Sequence, residues 1–351
     1  MKINRIGAAV LAVLLFSAVG SMAIAQSSSI TLLGSGASFP GPIYMKMFDV
    51  YAKETGVKVN YQSIGSSGGI KNIMDKVVDF GGTDSFIKDA DMMKYSAPIV
   101  HIPTVIGAVV ITYNLPGSPE LKLTGDLIAD IYLGKVSKWN DQAIQSLNPT
   151  VKLPNLAIMP VYRSDGSGTT FNFTAYLSEV SADWKGKVGN ANSVSWPVGQ
   201  GAAQNAGVAG VVTRAPGSIG YVELAYANQN KLAVAMVRNS SGKWIDPSLS
   251  SISAAAAGSF PKDTRILLVN TSAPEGYPIC AMTWLVVYKD QKYGNRSLDQ
   301  AKALVDLLWW VSHDGQKYAA DLDYAALPPP AVKAVEDVVR SISYGGQPVR
   351  K

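Results

Sequence analysis

From Ile30 to Val287, short apolar runs alternate with segments of helical period, and this alternation constrains the fold more than any other feature of the chain. It is the pattern of α/β layers built on open sheets. Strands are predicted over 29–33, 57–64, 105–113, 158–162, 219–222 and 283–288, and helices over 42–54, 69–78, 124–133, 141–147, 170–178 and 297–312. Ile70, Ile73, Met74 and Val77 recur at i, i+3, i+4 and i+7, which gives one helix an apolar face to lay on a sheet. Pro42 suits the first turn of its helix and Gly56 suits the stop. The Ser/Ala-rich stretch 248–258 reads as a surface helix without an assigned function. The chain is too long for one typical core, and with no low-complexity linker or internal repeat it reads as two lobes joined by crossing strands.

The N-terminus carries Lys2 and Arg5, then an apolar run over 6–19, then Ala23-Ile24-Ala25 before Gln26. That is the layout of a cleaved signal peptide, and the apolar run is shorter than the roughly 20 residues a membrane span needs. No cysteine follows it, so no lipid anchor is expected. Mature residues are expected to begin near Gln26 and to be soluble outside the inner membrane. Cys280 is the only cysteine and lies in an apolar stretch, so no intramolecular disulfide forms and the thiol is expected to be buried and inert. The formal net charge of +5 falls to +3 once Lys2 and Arg5 are removed, with no basic run to track a nucleic acid. Such mild positive charge favours small anions.

Four Gly/Ser/Thr-rich segments carry the chemistry: Gly36-Ala37-Ser38-Phe39, Gly65-Ser66-Ser67-Gly68-Gly69, Gly81-Gly82-Thr83-Asp84, and the run from Arg163 to Thr170. Three lead into helical stretches, whose unpaired first N–H groups and dipoles make anion seats. Small residues allow close approach to that backbone, hydroxyls at Ser38, Ser66, Ser167 and Thr169 add donors, and Arg163 adds a planar fork suited to an oxyanion. Asp165 either pairs with Arg163 or caps the turn. Asp84 either caps a helix or confronts the anion; a carboxylate there repels any anion that has no proton to donate. Phosphate keeps a proton near neutral pH and sulfate does not, so this placement would exclude sulfate.

The run from Arg163 lacks the Gly-Lys-Ser/Thr ending of a nucleotide loop, and Asp165 stands where a serine-hydrolase elbow around Ser167 needs glycine. His101 and His313 belong to no ligand cluster, so neither a metal nor another cofactor is expected. Three functions remain: a receptor for phosphate, a receptor for another oxyanion such as sulfate or molybdate, and a phosphatase-like enzyme using Ser167. The last has no evident general base or metal set, and the chain is read as a non-enzyme.

Along nearly its whole mature length the chain resembles the PstS family of periplasmic phosphate-binding proteins, which serve phosphate-specific ABC importers. The resemblance rests on Gly34-Ser35-Gly36-Ala37-Ser38-Phe39-Pro40, on Tyr61 to Gly69, on Asp79 to Asp84, on Asp130-Ile131-Tyr132-Leu133-Gly134-Lys135, on Arg163 to Thr170, on Pro216 to Glu223 and on Asp321 to Ala325. It implies a two-lobed type II periplasmic-binding-protein fold, each lobe a mixed sheet flanked by helices, with the ligand in the cleft between them. Lobe 1 would comprise residues 26–111 and 283–351, lobe 2 residues 112–282, and 1–25 the leader, with strands near 105–113 and 283–288 crossing between lobes.

The same resemblance implies phosphate ligands at Ser38, the Phe39 amide, Ser66, Asp84, Arg163, Ser167, the Gly168 amide and Thr169, with Asp165 supporting Arg163. It implies a monomer that delivers inorganic phosphate to an inner-membrane ABC permease. The family position at Ser38 is often Thr, which keeps the hydroxyl. After Asp84 the family usually has a small residue and Pro, whereas this chain has Ser85-Phe86.

Overall fold

The computed structural model describes residues 30–95 and 97–350; the leader expected over 1–25 lies outside them. Strands β1 (Thr31–Gly36), β2 (Lys58–Ser63), β3 (Phe80–Thr83), β4 (Ile99–Tyr113), β5 (Met159–Arg163), β6 (Gln200–Ala202), β7 (Ser218–Glu223), β8 (Ala233–Val234) and β9 (Cys280–Tyr288) make a nine-stranded sheet. Its order is β2-β1-β3-β9-β4-β7-β5-β6, with β8 against β4. The helices that matter here are α1 (Gly41–Thr55), α2 (Ser66–Met74), α3 (Gly125–Tyr132), α4 (Gln142–Leu147), α5 (Gly168–Val180), α6 (Gln204–Arg214), α7 (Leu224–Gln229), α8 (Leu249–Ala255), α9 (Leu298–Ser312) and α10 (Pro329–Arg340). The alternation read from the sequence is therefore realised as a mixed α/β architecture.

The 15-residue β4 organises the sheet. Its first part, Ile99 to Ala108, runs antiparallel to β9, which in turn pairs with β3 beside the parallel β1 and β2. Its last part, Val109 to Tyr113, leaves β9 and pairs with β7, beside the parallel β5 and β6. The changeover thus falls between Ala108 and Val109, opposite Ile279 and Cys280, where the Val109 N–H donates to the Ile279 carbonyl at 2.8 Å. Two half-sheets share one long strand, which explains why β4 is almost wholly buried and apolar and reads as a continuous run rather than an alternation; the strand near 283–288, expected to cross as well, is β9 and pairs only within the first half, because its partners are β3 and the first part of β4.

The buried side chains of both halves form one continuous core. In the first, Ile43, Tyr44, Met47 and Phe48 of α1 and Leu304, Leu307, Leu308 and Val311 of α9 are buried. In the second, Phe173 of α5 stacks on Tyr221 of β7 with ring centroids 4.2 Å apart, beside Tyr132 of α3 and Trp196. The Tyr221 hydroxyl leaves this aromatic stack to accept from the Arg163 N–H at 3.0 Å and to bond the Thr170 hydroxyl at 2.6 Å, so the core fixes both flanks of the Arg163 to Thr170 segment. Cys280 is buried, its burial pushing the thiol well up, as its apolar neighbourhood predicts.

The Gly-rich segments do a structural task that the sequence did not reveal. A Cβ on Gly69 would lie 2.5 Å from the Gly36 Cα, 2.6 Å from the Ser35 carbonyl oxygen and 2.7 Å from the Gly82 carbonyl oxygen, all backbone atoms. Gly36 itself has φ of 146° and lies hard against Gly82. These glycines let α2 settle directly onto β1 and β3, and that close approach carries Ser66 and Asp84 to one point. Gly69→Ala is expected to destabilise the ligand-free protein by about 3 kcal/mol or more, because no flexible side chain can give way; urea unfolding measures it, and an unchanged midpoint would mean the backbone yields easily there.

Boundaries differ from the sequence reading in several places: the strand predicted over 105–113 is β4 and starts at Ile99, that over 283–288 is β9 and starts at Cys280, and that over 29–33 is β1, Thr31–Gly36. The helix predicted over 69–78 is α2, starting at Ser66 and ending at Met74, because Ser66 to Gly68 already adopt helical geometry and Lys76 turns left-handed with φ of 57°. The stretch 248–258 contains α8, closed by a capping box in which Ser248 and Ser251 satisfy each other's amides, and its Ile252 and Ala255 are buried.

Candidate functional site

Three of the four Gly/Ser/Thr segments end at helix N-termini that converge from both halves. Ser38 and Phe39 form the turn between β1 and α1, Ser66 is the first residue of α2, and Ser167 is the N-cap of α5, its Oγ accepting from the Thr170 N–H at 3.1 Å. Asp84 follows β3 and Arg163 ends β5. The fold thereby links Ser66, Asp84 and Gly168 by direct contacts, and Arg163, Thr169 and Ser38 through Thr169 and the shared partner Asn205, with Phe39 and Ser167 next to them in the chain.

Contacts across the two halves are direct. The Gly168 N–H donates to Ser66 Oγ at 3.0 Å, and Asn172 Nδ2 donates to the Asp84 carbonyl at 2.7 Å. Asn205 of α6 donates from its backbone N–H and its side chain to Ser38 Oγ, at 3.2 and 3.1 Å. Gln204 Nε2 reaches the Ser63 carbonyl at 2.6 Å, the Ser67 N–H reaches the Gly166 carbonyl at 3.0 Å, and the Tyr226 hydroxyl donates to the Ser38 carbonyl at 2.7 Å. Direct hydrogen bonds thus bridge the two half-sheets at this point. A Cβ on Gly168 would lie 2.5 Å from Ser66 Oγ and 2.7 Å from Asp84 Cβ and Oδ2, so only glycine lets the start of α5 lie against that carboxylate.

Arg163 is buried, and its guanidinium is held by Asp165 in the bidentate way that its planar fork favours, Nε to Oδ1 at 2.7 Å and Nη2 to Oδ2 at 2.5 Å. Of the two uses open to Asp165 in the sequence, pairing with Arg163 is what the structure displays. Burial pushes the Asp165 carboxyl up, but Arg163 and the Gln204 N–H at 2.9 Å outweigh it and leave it below the usual range. Arg163 Nη1 donates to Thr169 Oγ1 at 3.1 Å. Gln204 holds φ of 63°, a left-handed backbone that turns its N–H onto Asp165 and starts α6 at the site.

Asp84 is 2% exposed. Desolvation raises its carboxyl to about 7, against the opposing pull of the Thr283 hydroxyl, Arg163 and Ser66. Thr283 Oγ1 of β9 donates to Oδ1 at 2.8 Å, while Ser66 Oγ stands 3.4 Å from Oδ2 and accepts the Asp84 N–H at 3.2 Å. The carboxylate is thus pinned from one side. Phe39 is anchored through its carbonyl, which accepts the one proton of the Tyr324 hydroxyl at 2.7 Å; the Tyr324 oxygen also lies 2.9 Å from Glu223 Oε2, whose carboxyl is held well above the usual range by burial and so can donate to it.

Phe86 packs edge-on against Trp284 and against Phe171 of α5 in the other half, at 6.1 and 6.2 Å. The loop keeps its course through the Thr83 hydroxyl, which accepts the Ser85 N–H at 3.2 Å and donates to the Ser85 carbonyl at 2.6 Å.

The histidines sit elsewhere. His101 Nε2 accepts from the Ile87 N–H at 3.0 Å, and burial lowers its imidazole to about 3; His313 stacks on Trp309 at 4.2 Å. Among the described residues no group of three or more His, Cys, Asp or Glu side chains could hold a metal ion, and no helix is long and apolar enough to cross a membrane.

Sequence reasoning missed Asn205, Thr283, Asn172 and Gln204. For Asn205 and Gln204 a signal existed: Gly201-Ala202-Ala203-Gln204-Asn205-Ala206-Gly207 is a further small-residue segment running into Val208, Val211 and Val212, spaced i, i+3 and i+4. Thr283 and Asn172 lie inside a strand and a helix, and nothing local sets them apart.

A family model described as a PBP superfamily domain matches residues 23–311. The chain is 46% identical over 318 residues to the phosphate-binding protein PstS of Xylella fastidiosa strain Temecula1, covering 89% of this chain and 85% of that one. It is 43% identical over 323 residues to the PstS of Haemophilus influenzae, covering 91% and 94%. Among solved structures, a phosphate-binding protein from Stenotrophomonas maltophilia matches with a TM-score of 0.65 at 18% identity, over 89% of this chain and 94% of that one. A high-affinity periplasmic phosphate-binding protein bound with phosphate matches with a TM-score of 0.69, also at 18% identity, over 88% and 93%. The fold is thus the two-lobed type II arrangement, and the chain belongs to the PstS family of phosphate-binding proteins.

Proposed function

We propose that this chain is the periplasmic receptor of a phosphate importer: it binds inorganic phosphate between its two halves and delivers it to an inner-membrane ABC permease. The observation that carries this reading is the gathering of hydroxyls, helix N-termini and one buried guanidinium from two half-sheets around the buried carboxylate of Asp84. The names of its relatives, phosphate-binding proteins, support the same ligand. The ligands are Ser38, the Phe39 amide, Ser66, Asp84, Arg163, Ser167, the Gly168 amide and Thr169, and Asp165 supports Arg163. The protein acts as a monomer, after removal of residues 1–25, and catalyses no reaction.

Lobe 1 is taken as 26–111 and 283–351 and lobe 2 as 112–282; the strand pairing changes over three residues from each of these bounds, at Ala108/Val109 and Ile279/Cys280. Bending where β4 passes from one half-sheet to the other opens the cleft, and closure replaces the hydration shell of the anion with fixed donors. Phosphate donates its remaining proton to Asp84; sulfate has none and meets an unpaired buried charge.

Calorimetric titration of ligand-stripped mature protein at neutral pH tests this. Phosphate is expected to bind one to one at micromolar strength or better, about −8 kcal/mol, with no heat from sulfate. Equal binding of the two anions would remove the phosphate assignment, and binding of neither would overturn the receptor.

A further inference from the structure

Asn205 makes four hydrogen bonds that together leave its side chain one orientation. The Glu223 N–H donates to its Oδ1 at 3.0 Å, and because a backbone N–H can only donate, the oxygen is fixed on that side. Nδ2 therefore faces the site, where it donates to Ser38 Oγ at 3.1 Å and to Thr169 Oγ1 at 3.2 Å. Ser38 Oγ also accepts the Asn205 backbone N–H at 3.2 Å, and Thr169 Oγ1 also accepts from Arg163 Nη1 at 3.1 Å. A hydroxyl has two acceptor lone pairs and one proton. In both residues the two lone pairs are taken, so the proton is the only capacity left.

We propose that Asn205 is a positioning residue that locks the Ser38 and Thr169 hydroxyls as obligate donors to the bound anion. A free serine or threonine rotor can donate or accept and so tolerates a protonated or neutral ligand oxygen. With its lone pairs occupied it offers only a proton, and the wall of the site contributed by these two residues recognises unprotonated oxygens alone. The single proton of a hydrogen phosphate is then directed to Asp84, the buried acceptor on the other side. Asn205 also carries this order across the cleft, since Ser38 belongs to the first half-sheet and Thr169 and Glu223 to the second; the donor state is completed only when the halves meet.

This inference rests on the phosphate-receptor reading above, and the test separates the two. Asn205→Asp keeps the side-chain size, the bond from Glu223 and the backbone N–H to Ser38, but turns the Nδ2 donor into an acceptor to which both hydroxyls can swing. Phosphate affinities are measured by calorimetry for the wild type, Asn205→Asp, Ser38→Ala and the double variant, with thermal melts of each. Ser38→Ala in the wild-type background is expected to weaken phosphate by about 10-fold or more, and Asn205→Asp by about 100-fold. In the Asn205→Asp background the Ser38→Ala step is expected to shrink to about threefold or less, because that hydroxyl has already turned away.

Wild-type-like binding by Asn205→Asp would overturn the proposal. So would a loss of affinity in which the Ser38→Ala step keeps its full size, the outcome of simple charge repulsion or general loosening. If Asn205→Asp does not fold, the same cycle is run on Asn205→Ala, where the freed Ser38 rotor again predicts a smaller step and an undiminished one again overturns it. Failure of wild-type protein to bind phosphate would strike the receptor reading instead.

Discussion

Asp84→Asn is expected to admit sulfate. In the wild type the carboxylate is buried and pinned by Thr283 at 2.8 Å, with Gly168 against its other oxygen, so it can neither swing away nor reach water. A fully ionised sulfate in that place faces a negative charge with no proton between them. An amide of the same shape can turn its NH₂ to the anion, converting repulsion into a hydrogen bond. Sulfate affinity should rise by about 100-fold or more while phosphate, which exchanges one good contact for another, changes by less than about tenfold. Paired titrations with the two anions decide it; a phosphate preference that survives the substitution intact would remove Asp84 from the selectivity account.

The same substitution has a second signature in the ligand-free protein. Burial lifts the folded-state carboxyl from 3.8 to about 7. A group raised in this way contributes stability that is fully present below its unfolded value and is lost as pH rises through the folded one, because the unfolded chain then ionises it freely. Asp84→Asn should accordingly be the more heat-stable protein at about pH 8 and lose that advantage on acidification to about pH 4. Thermal melts across that range would show it, and a pH-independent difference would mean that packing rather than ionisation separates the two proteins.

Arg163→Met is expected to abolish binding, a loss on the order of 1,000-fold from two or more charge-assisted contacts. It should also destabilise the ligand-free protein, because Asp165 loses the partner that compensates its partial burial and the Thr169 hydroxyl loses a donor. The two effects are separable. Adding Asp165→Asn removes the stranded charge, so the Arg163→Met/Asp165→Asn protein should recover most of the stability and none of the phosphate affinity. Recovery of binding in the double variant would show that Arg163 serves the fold and not the anion.

The sequence by itself determined the layer pattern, because alternating apolar runs and amphipathic segments can bury their faces only as helices on a sheet. It also marked the candidate donors, since hydroxyls and glycines ahead of Ile70 and after Arg163 announce helix starts with unpaired amides. Tertiary structure decided which of these meet. That Gly69 is there to seat α2 on Gly36 and Gly82, and not to admit a ligand, depends on backbone distances that no local pattern encodes. Thr283 and Asn205 reach Asp84 and Ser38 from positions 199 and 167 residues away in the chain. Their orienting role exists only because β4 threads two half-sheets and holds them face to face: hydrogen-bond direction is a property of three-dimensional neighbours, and a sequence names the donors and acceptors without saying which lone pairs are already taken.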